Sequence, residues 1–261
     1  MRDAMSRHWP EYLLEGAGLG AFMLSACAFA TLLQHPASPV RQAIPDAGVR
    51  RALMGLAMGF TAIGLIYSPW GRRSGAHLNP AVTLAFWWLG KVRGADAVFY
   101  IVAQFLGALL GVLIAAAGLG GALSDPAVNF AVTSPGPGGP LPAFLTEFAI
   151  SGLLMLTVLI ASNAERLARF TGLLAGLLVA AYIVVAAPVS GMSMNPARSL
   201  ASAIPAEVWT ALWIYFTAPV LGMLLAAGAY GRVRGRAAVR CAKLMHAGGR
   251  RCIFRCGYPK P

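Results

Sequence analysis

Residues 74–82 read SGAHLNPAV and residues 190–198 read SGMSMNPAR. Each stretch carries an Asn-Pro-Ala triplet, Asn79-Pro80-Ala81 and Asn195-Pro196-Ala197. Asn is among the strongest helix N-caps, and Pro is favoured at the first helical position. Both triplets therefore announce a helix start. The apolar runs that follow, PAVTLAFWWLG at 80–90 and PARSLASAIPA at 196–206, are short. At about 1.5 Å per residue, each reaches only about half of a hydrocarbon core roughly 30 Å thick. A single triplet would read as the cap of an ordinary helix. Two copies, each after Ser-Gly and each opening a half-length run, argue against that reading.

Composition sets the environment. The chain has 261 residues, of which 58% are hydrophobic and 11% charged, with a mean hydropathy of +0.67. Soluble domains carry about a quarter charged residues. Six long apolar stretches run near 11–34, 51–70, 96–119, 142–163, 170–189 and 208–230. The first is too long for a signal-peptide core and lacks a clean small-residue cleavage site. Small residues recur in the stretches (Gly16, Gly18, Gly20, Gly107, Gly111, Gly172, Gly176), as close helix approach in lipid requires. Trp9, Tyr12, Tyr100, Trp209, Trp213 and Tyr230 fall near span ends and are expected to be interfacial anchors.

Each Asn-Pro-Ala triplet follows the second span of its half. Three crossings per half invert one half relative to the other, an architecture built for transport across the midplane. The expected fold is an all-α membrane protein with six transmembrane helices and two re-entrant half-helices in an inverted repeat. Their capped starts meet mid-membrane, where free N–H groups and positive dipole ends repel cations.

The net charge of +12 would suggest nucleic acid in a soluble chain. Here it reports topology, and no nucleic-acid partner is expected. Six crossings with the termini inside leave Arg41, Arg50, Arg51 and Arg198 outside and every other Lys and Arg inside. The positive-inside rule thus places both termini in the cytoplasm of a multi-pass protein of the cytoplasmic (plasma) membrane.

SGAHLNPAV and SGMSMNPAR resemble the two signature loops of the aquaporin, or major intrinsic protein, family. The likeness covers about residues 11–230, with halves at about 11–118 and 141–230. Residues 1–10 are then a cytoplasmic N-terminus, and 231–261 a basic, flexible cytoplasmic tail. The resemblance implies a homotetramer with one pore per subunit. It also implies that Glu15 and Glu147 hold the re-entrant loops, with Gln104 and His77 as further pore-supporting residues. Arg198 would form the outer constriction with Met192, Ile183 and a second-span residue. That last residue is Met58 on the local run LAMGFTA and Gly59 on an ungapped count from Asn79.

Strict water channels of the family carry His where Ile183 stands, while Ser199, Ala203 and the Tyr215-Phe216 pair resemble the water class. The expected function is passive conduction of water, with other small neutral solutes, excluding ions and protons. Glycerol, hydrogen peroxide, ammonia and metalloid hydroxides are alternatives. An ion-coupled secondary transporter would need carboxylates on the pathway. Only Glu15 and Glu147 lie deep in spans, at scaffold positions.

No catalytic residue, cofactor or metal is expected, and the chain does not read as an enzyme. The tail carries nine Lys or Arg and no acid, and reads as a solvated segment attracted to anionic lipid. Its Cys241, His246, Cys252 and Cys256 have metal-ligand chemistry in a spacing that matches no common zinc motif. Acylation of Cys241 is a further reading.

Overall fold

The computed structural model describes residues 1–246 and 251–258. Its helices, in chain order, are α1 (Arg2–Gln34), α2 (Pro39–Ala43), α3 (Ala47–Tyr67), α4 (Pro69–Ser74), α5 (Pro80–Trp88), α6 (Gly94–Leu119), α7 (Gly121–Ser124), α8 (Pro140–Asn163), α9 (Thr171–Ser190), α10 (Pro196–Ala206) and α11 (Leu212–Arg234). Among the described residues there is no strand. Six helices, α1, α3, α6, α8, α9 and α11, are long and apolar enough to cross a membrane. The half-helices have only 9 residues (α5) and 11 residues (α10).

Local chemistry sets the boundaries. Asp46 caps α3 by accepting from the Val49 amide at 2.7 Å. Ser68 caps α4 by accepting from Gly71, with Pro69 at the first helical turn. Helix α1 starts well before the apolar run at residue 11; its first turns are mostly exposed, with Asp3 and Arg7 paired at 2.8 Å, and it is anchored one turn further on. The Tyr12 hydroxyl donates to Asp96 at 2.6 Å, and His8 Nδ1 lies 2.7 Å from the same carboxylate.

Three helix pairs show the repeat. The first and third spans of each half pack together, as α1 with α6 and α8 with α11, while the two second spans, α3 and α9, pair across the halves. Glycine permits these approaches. A Cβ on Gly20 would sit 2.7 Å from the Gly107 carbonyl oxygen, and one on Gly59 would sit 2.7 Å from that of Gly176. In lipid, such backbone contact replaces the hydrophobic drive available in water. The outward band of Leu106, Leu110, Leu113, Leu221 and Leu225 is exposed, as a lipid-facing surface requires.

Two expectations need correction. Tyr12, Tyr100 and Tyr230 are buried rather than interfacial. For the first two the hydroxyl has an interior acceptor, Asp96 for Tyr12 and the Ser74 carbonyl at 2.6 Å for Tyr100. Trp9, Trp209 and Trp213 are exposed as expected. The tail, expected to be flexible and solvated, packs back on the helical body. Val239, Ala242, Leu244, Ile253 and Phe254 are buried there. The segment carries enough apolar side chain to cover surface at the terminal end of the bundle; Arg251 and Arg255 stay exposed, while Lys243 is buried and donates to the Arg72 and Arg251 carbonyls. Residues 247–250 and 259–261 of that tail lie outside the described residues.

Candidate functional site

The two triplets meet. The Asn79 side-chain amide donates to the Met194 carbonyl at 2.7 Å, and that of Asn195 donates to the Leu78 carbonyl at 2.7 Å. Each Asn also caps its own half-helix. Asn79 Oδ1 accepts from Ala81 N at 2.8 Å, and Asn195 Oδ1 from Ala197 N at 3.1 Å. Pro80 and Pro196 take the first helical positions. One residue type thus starts each helix and clasps the opposite loop.

The approach to each cap repeats as well. A glycine in the left-handed region ends the preceding helix, Gly75 at φ 105° and Gly191 at φ 73°. Ala76 and Leu78 in one loop, and Met192 and Met194 in the other, also hold positive φ. For non-glycine residues that conformation costs about 1 kcal/mol or more each. Glutamates offset the strain. Glu147 accepts from the Ser193 amide at 2.9 Å, the Met194 amide at 2.6 Å and the Ser190 hydroxyl at 2.7 Å. Glu15 accepts from the Leu78 amide and from Gln104 Nε2 at 3.0 Å. The third spans add a matched pair, Tyr100 and Tyr215, which donate to the carbonyls of Ser74 and Ser190, each at 2.6 Å.

His77 is both buried support and part of the wall. Its Nε2 donates to the Ala242 carbonyl at 2.8 Å, so the neutral ring offers Nδ1 to the Thr83 hydroxyl 3.0 Å away. The ring stacks between Phe86 and Phe254, at centroid distances of 5.2 and 5.4 Å.

A cavity of about 460 Å³ runs beside the clasp. Asn79, Asn195, His77 and Arg198 line it, together with the candidate filter residues Met58, Ile183 and Met192. Gly59 faces α9 instead, so the residue turned into the cavity is Met58. The helices contribute apolar lining, including Leu19, Phe22, Val179 and Ile183. Arg198 lines the cavity, while its Nη1 is buried and has no protein acceptor among the described residues. Ala81, Pro80, Ala197 and Pro196 are buried behind the surface, where they fix the caps.

Several residues at the site escaped the sequence. Gln34 and Arg51 line one end of the cavity and Leu244 of the tail lines the other. Thr133 ties the segment before α8 to α10 through Ser199, at 2.7 Å. Glu11 and Asp96 are buried carboxylates besides Glu15 and Glu147; Glu11 pairs with Arg73 at 3.1 Å. Polar residues just before a span were a usable signal for Glu11. Nothing local marks Leu244.

Tip-to-tip half-helices beside such a cavity, inside six spans, define an integral, multi-pass membrane channel. The family model described as major intrinsic protein matches residues 9–230, and the chain belongs to that family. Similar proteins include aquaporin NIP2-2 of Zea mays, 37% identical over 180 residues, which are 69% of this chain and 59% of the relative. The probable aquaporin AqpM of Archaeoglobus fulgidus is 39% identical, over 68% of this chain and 74% of the relative. The chain spans about 60% of the length of the maize relatives it matches. Among solved structures, the aquaglyceroporin of Plasmodium falciparum shares the fold. Its TM-score is 0.72 at 22% identity, covering 88% of this chain and 98% of that one.

Proposed function

We propose that this channel conducts water, together with other small neutral solutes, and excludes ions and protons. The observation that carries the reading is the pair of Asn amides at the meeting of two half-helix N-termini. A neutral molecule meets donors and carbonyl oxygens there. A cation meets two positive dipole ends and then Arg198. Met58, Ile183, Met192 and Arg198 form the selectivity filter in this reading, and Glu15, Glu147, His77 and Gln104 support the loops. The protein works as a homotetramer in the cytoplasmic membrane with both termini in the cytoplasm. The distribution of Lys and Arg and the exposed apolar outer faces support that placement.

Ile183 favours a second reading, in which glycerol or a similar uncharged hydroxylated solute also passes. An aliphatic side chain there offers no hydrogen bond and accepts the carbon face of such a solute. Stopped-flow light scattering on proteoliposomes, with water and glycerol gradients in parallel, tests both. Water flux well above that of empty liposomes is expected. Flux at the empty-liposome level for both solutes would overturn the proposal.

A further inference from the structure

The tail brings four metal-ligating side chains to one point. Cys241 Sγ and Cys252 Sγ lie 3.5 Å apart, and Cys256 Sγ lies 3.1 Å from His246 Nε2. The four donor atoms of Cys241, His246, Cys252 and Cys256 all fall within 4.8 Å of one another. A tetrahedral zinc site has bonds of about 2.3 Å to sulfur and about 2.0–2.1 Å to nitrogen, so its ligand atoms sit about 3.5–3.8 Å apart. The observed spacings bracket that value. A Cys241–Cys252 disulfide would need sulfurs about 2.05 Å apart.

The cluster joins two arms of the chain. Cys241 and His246 flank Leu244, while Cys252 and Cys256 flank Phe254. Both of those apolar residues sit on the channel body. Leu244 lines the cavity, and its amide donates to the Gly75 carbonyl at 3.0 Å. Phe254 stacks on His77, and the next residue, Arg255, donates its amide to the Lys91 carbonyl at 2.9 Å. Apart from a 3₁₀ turn at Arg236–Ala238, the described part of the segment beyond α11 holds no regular secondary structure. Tyr258 stacks on the His246 ring at 4.3 Å and fixes its orientation, as outer partners of metal-bound histidines do.

We propose that Cys241, His246, Cys252 and Cys256 bind one zinc-class divalent ion, and that this ion fastens the tail over the channel end nearest the termini. Three thiolates and a neutral imidazole around a 2+ ion leave a net charge of −1, which the basic tail balances. Three thiol protons leave as the ion binds. Such a set selects a borderline or soft ion over magnesium or calcium, which prefer oxygen.

The test uses the full chain, purified reduced in detergent and dialysed against metal-free buffer. Elemental analysis should find about one zinc per chain, falling to background in a Cys252→Ser/Cys256→Ser double variant. Cobalt(II) added to the stripped protein should give thiolate charge-transfer and tetrahedral ligand-field bands, absent in the variant. Trypsin should cleave at Arg251 and Arg255 severalfold faster after chelation. Background zinc and no such cobalt bands in the wild type would overturn the site. So would equal metal in wild type and variant, or a Cys241–Cys252 disulfide in the reduced protein. Cleavage indifferent to chelation would overturn the fastening. None of these readouts depends on what the pore conducts.

Discussion

Glu147 accepts the Met194 amide at 2.6 Å, and the same carboxylate takes the Ser193 amide and the Ser190 hydroxyl. One side chain of α8 thus holds three donors of a loop whose Met192 and Met194 are in a costly conformation. Glu147→Gln leaves one acceptor oxygen for them and turns an NH₂ group toward an N–H. Stability should fall by about 2–3 kcal/mol. Thermal unfolding in detergent checks it, and an unchanged midpoint would show that the loop holds itself.

Arg198 lines the same cavity as Ile183 and Met192, and its buried Nη1 has no protein acceptor among the described residues. Arg198→Ala removes a donor, a positive charge and much of a side chain from the passage. Glycerol flux should rise about tenfold relative to water, equivalent to roughly 1.4 kcal/mol off its barrier. Parallel solute gradients in proteoliposomes read the ratio, and a constant ratio would remove Arg198 from the filter.

Ile183→His adds a polar, flat ring where the wall is aliphatic. Water gains a hydrogen-bond partner, while a larger solute loses its apolar contact. The preference for water over glycerol should increase about fivefold, the effect of roughly 1 kcal/mol. Light scattering with both osmolytes measures it; an unaltered preference would place the constriction elsewhere.

Leu244 lines the cavity from the tail and is 5% exposed. Leu244→Ala widens the cavity there without touching the Asn clasp or the four tail ligands. Water permeability should rise severalfold with no change in tail metal content. Equal permeability would show that the tail sits beside the path rather than across it.

Gly107 touches the Gly16 backbone so closely that a Cβ could not be placed without moving a helix. Gly107→Ala should separate α1 from α6 at a cost of about 1–3 kcal/mol. The unfolding midpoint reports it. Gly64, with open space around its Cβ position, is the control, and Gly64→Ala should leave the midpoint unchanged.

The repeat was legible because its signals are local. Asn, Pro and a short apolar run mark a helix start wherever they stand. Glu15 and Glu147 were visible as carboxylates in apolar surroundings. Met58 against Gly59 was not decided, because an inserted residue shifts the count. The backbone contact between Gly59 and Gly176, which leaves Met58 lining the cavity, is a tertiary fact. The folded tail was illegible for the same reason. Cys241 and Cys256 are separated by residues with no periodicity, and Leu244 reaches Gly75 across most of the chain. Basic composition hid the apolar residues that seat it.

The cavity lining mixes hydrogen-bonding groups of the two loops with apolar side chains such as Leu19, Phe22 and Val179. A passing molecule finds a few polar handholds among surfaces that offer it no hydrogen bond. Friction stays low while molecules keep to a fixed lane, so throughput and discrimination need not trade against each other.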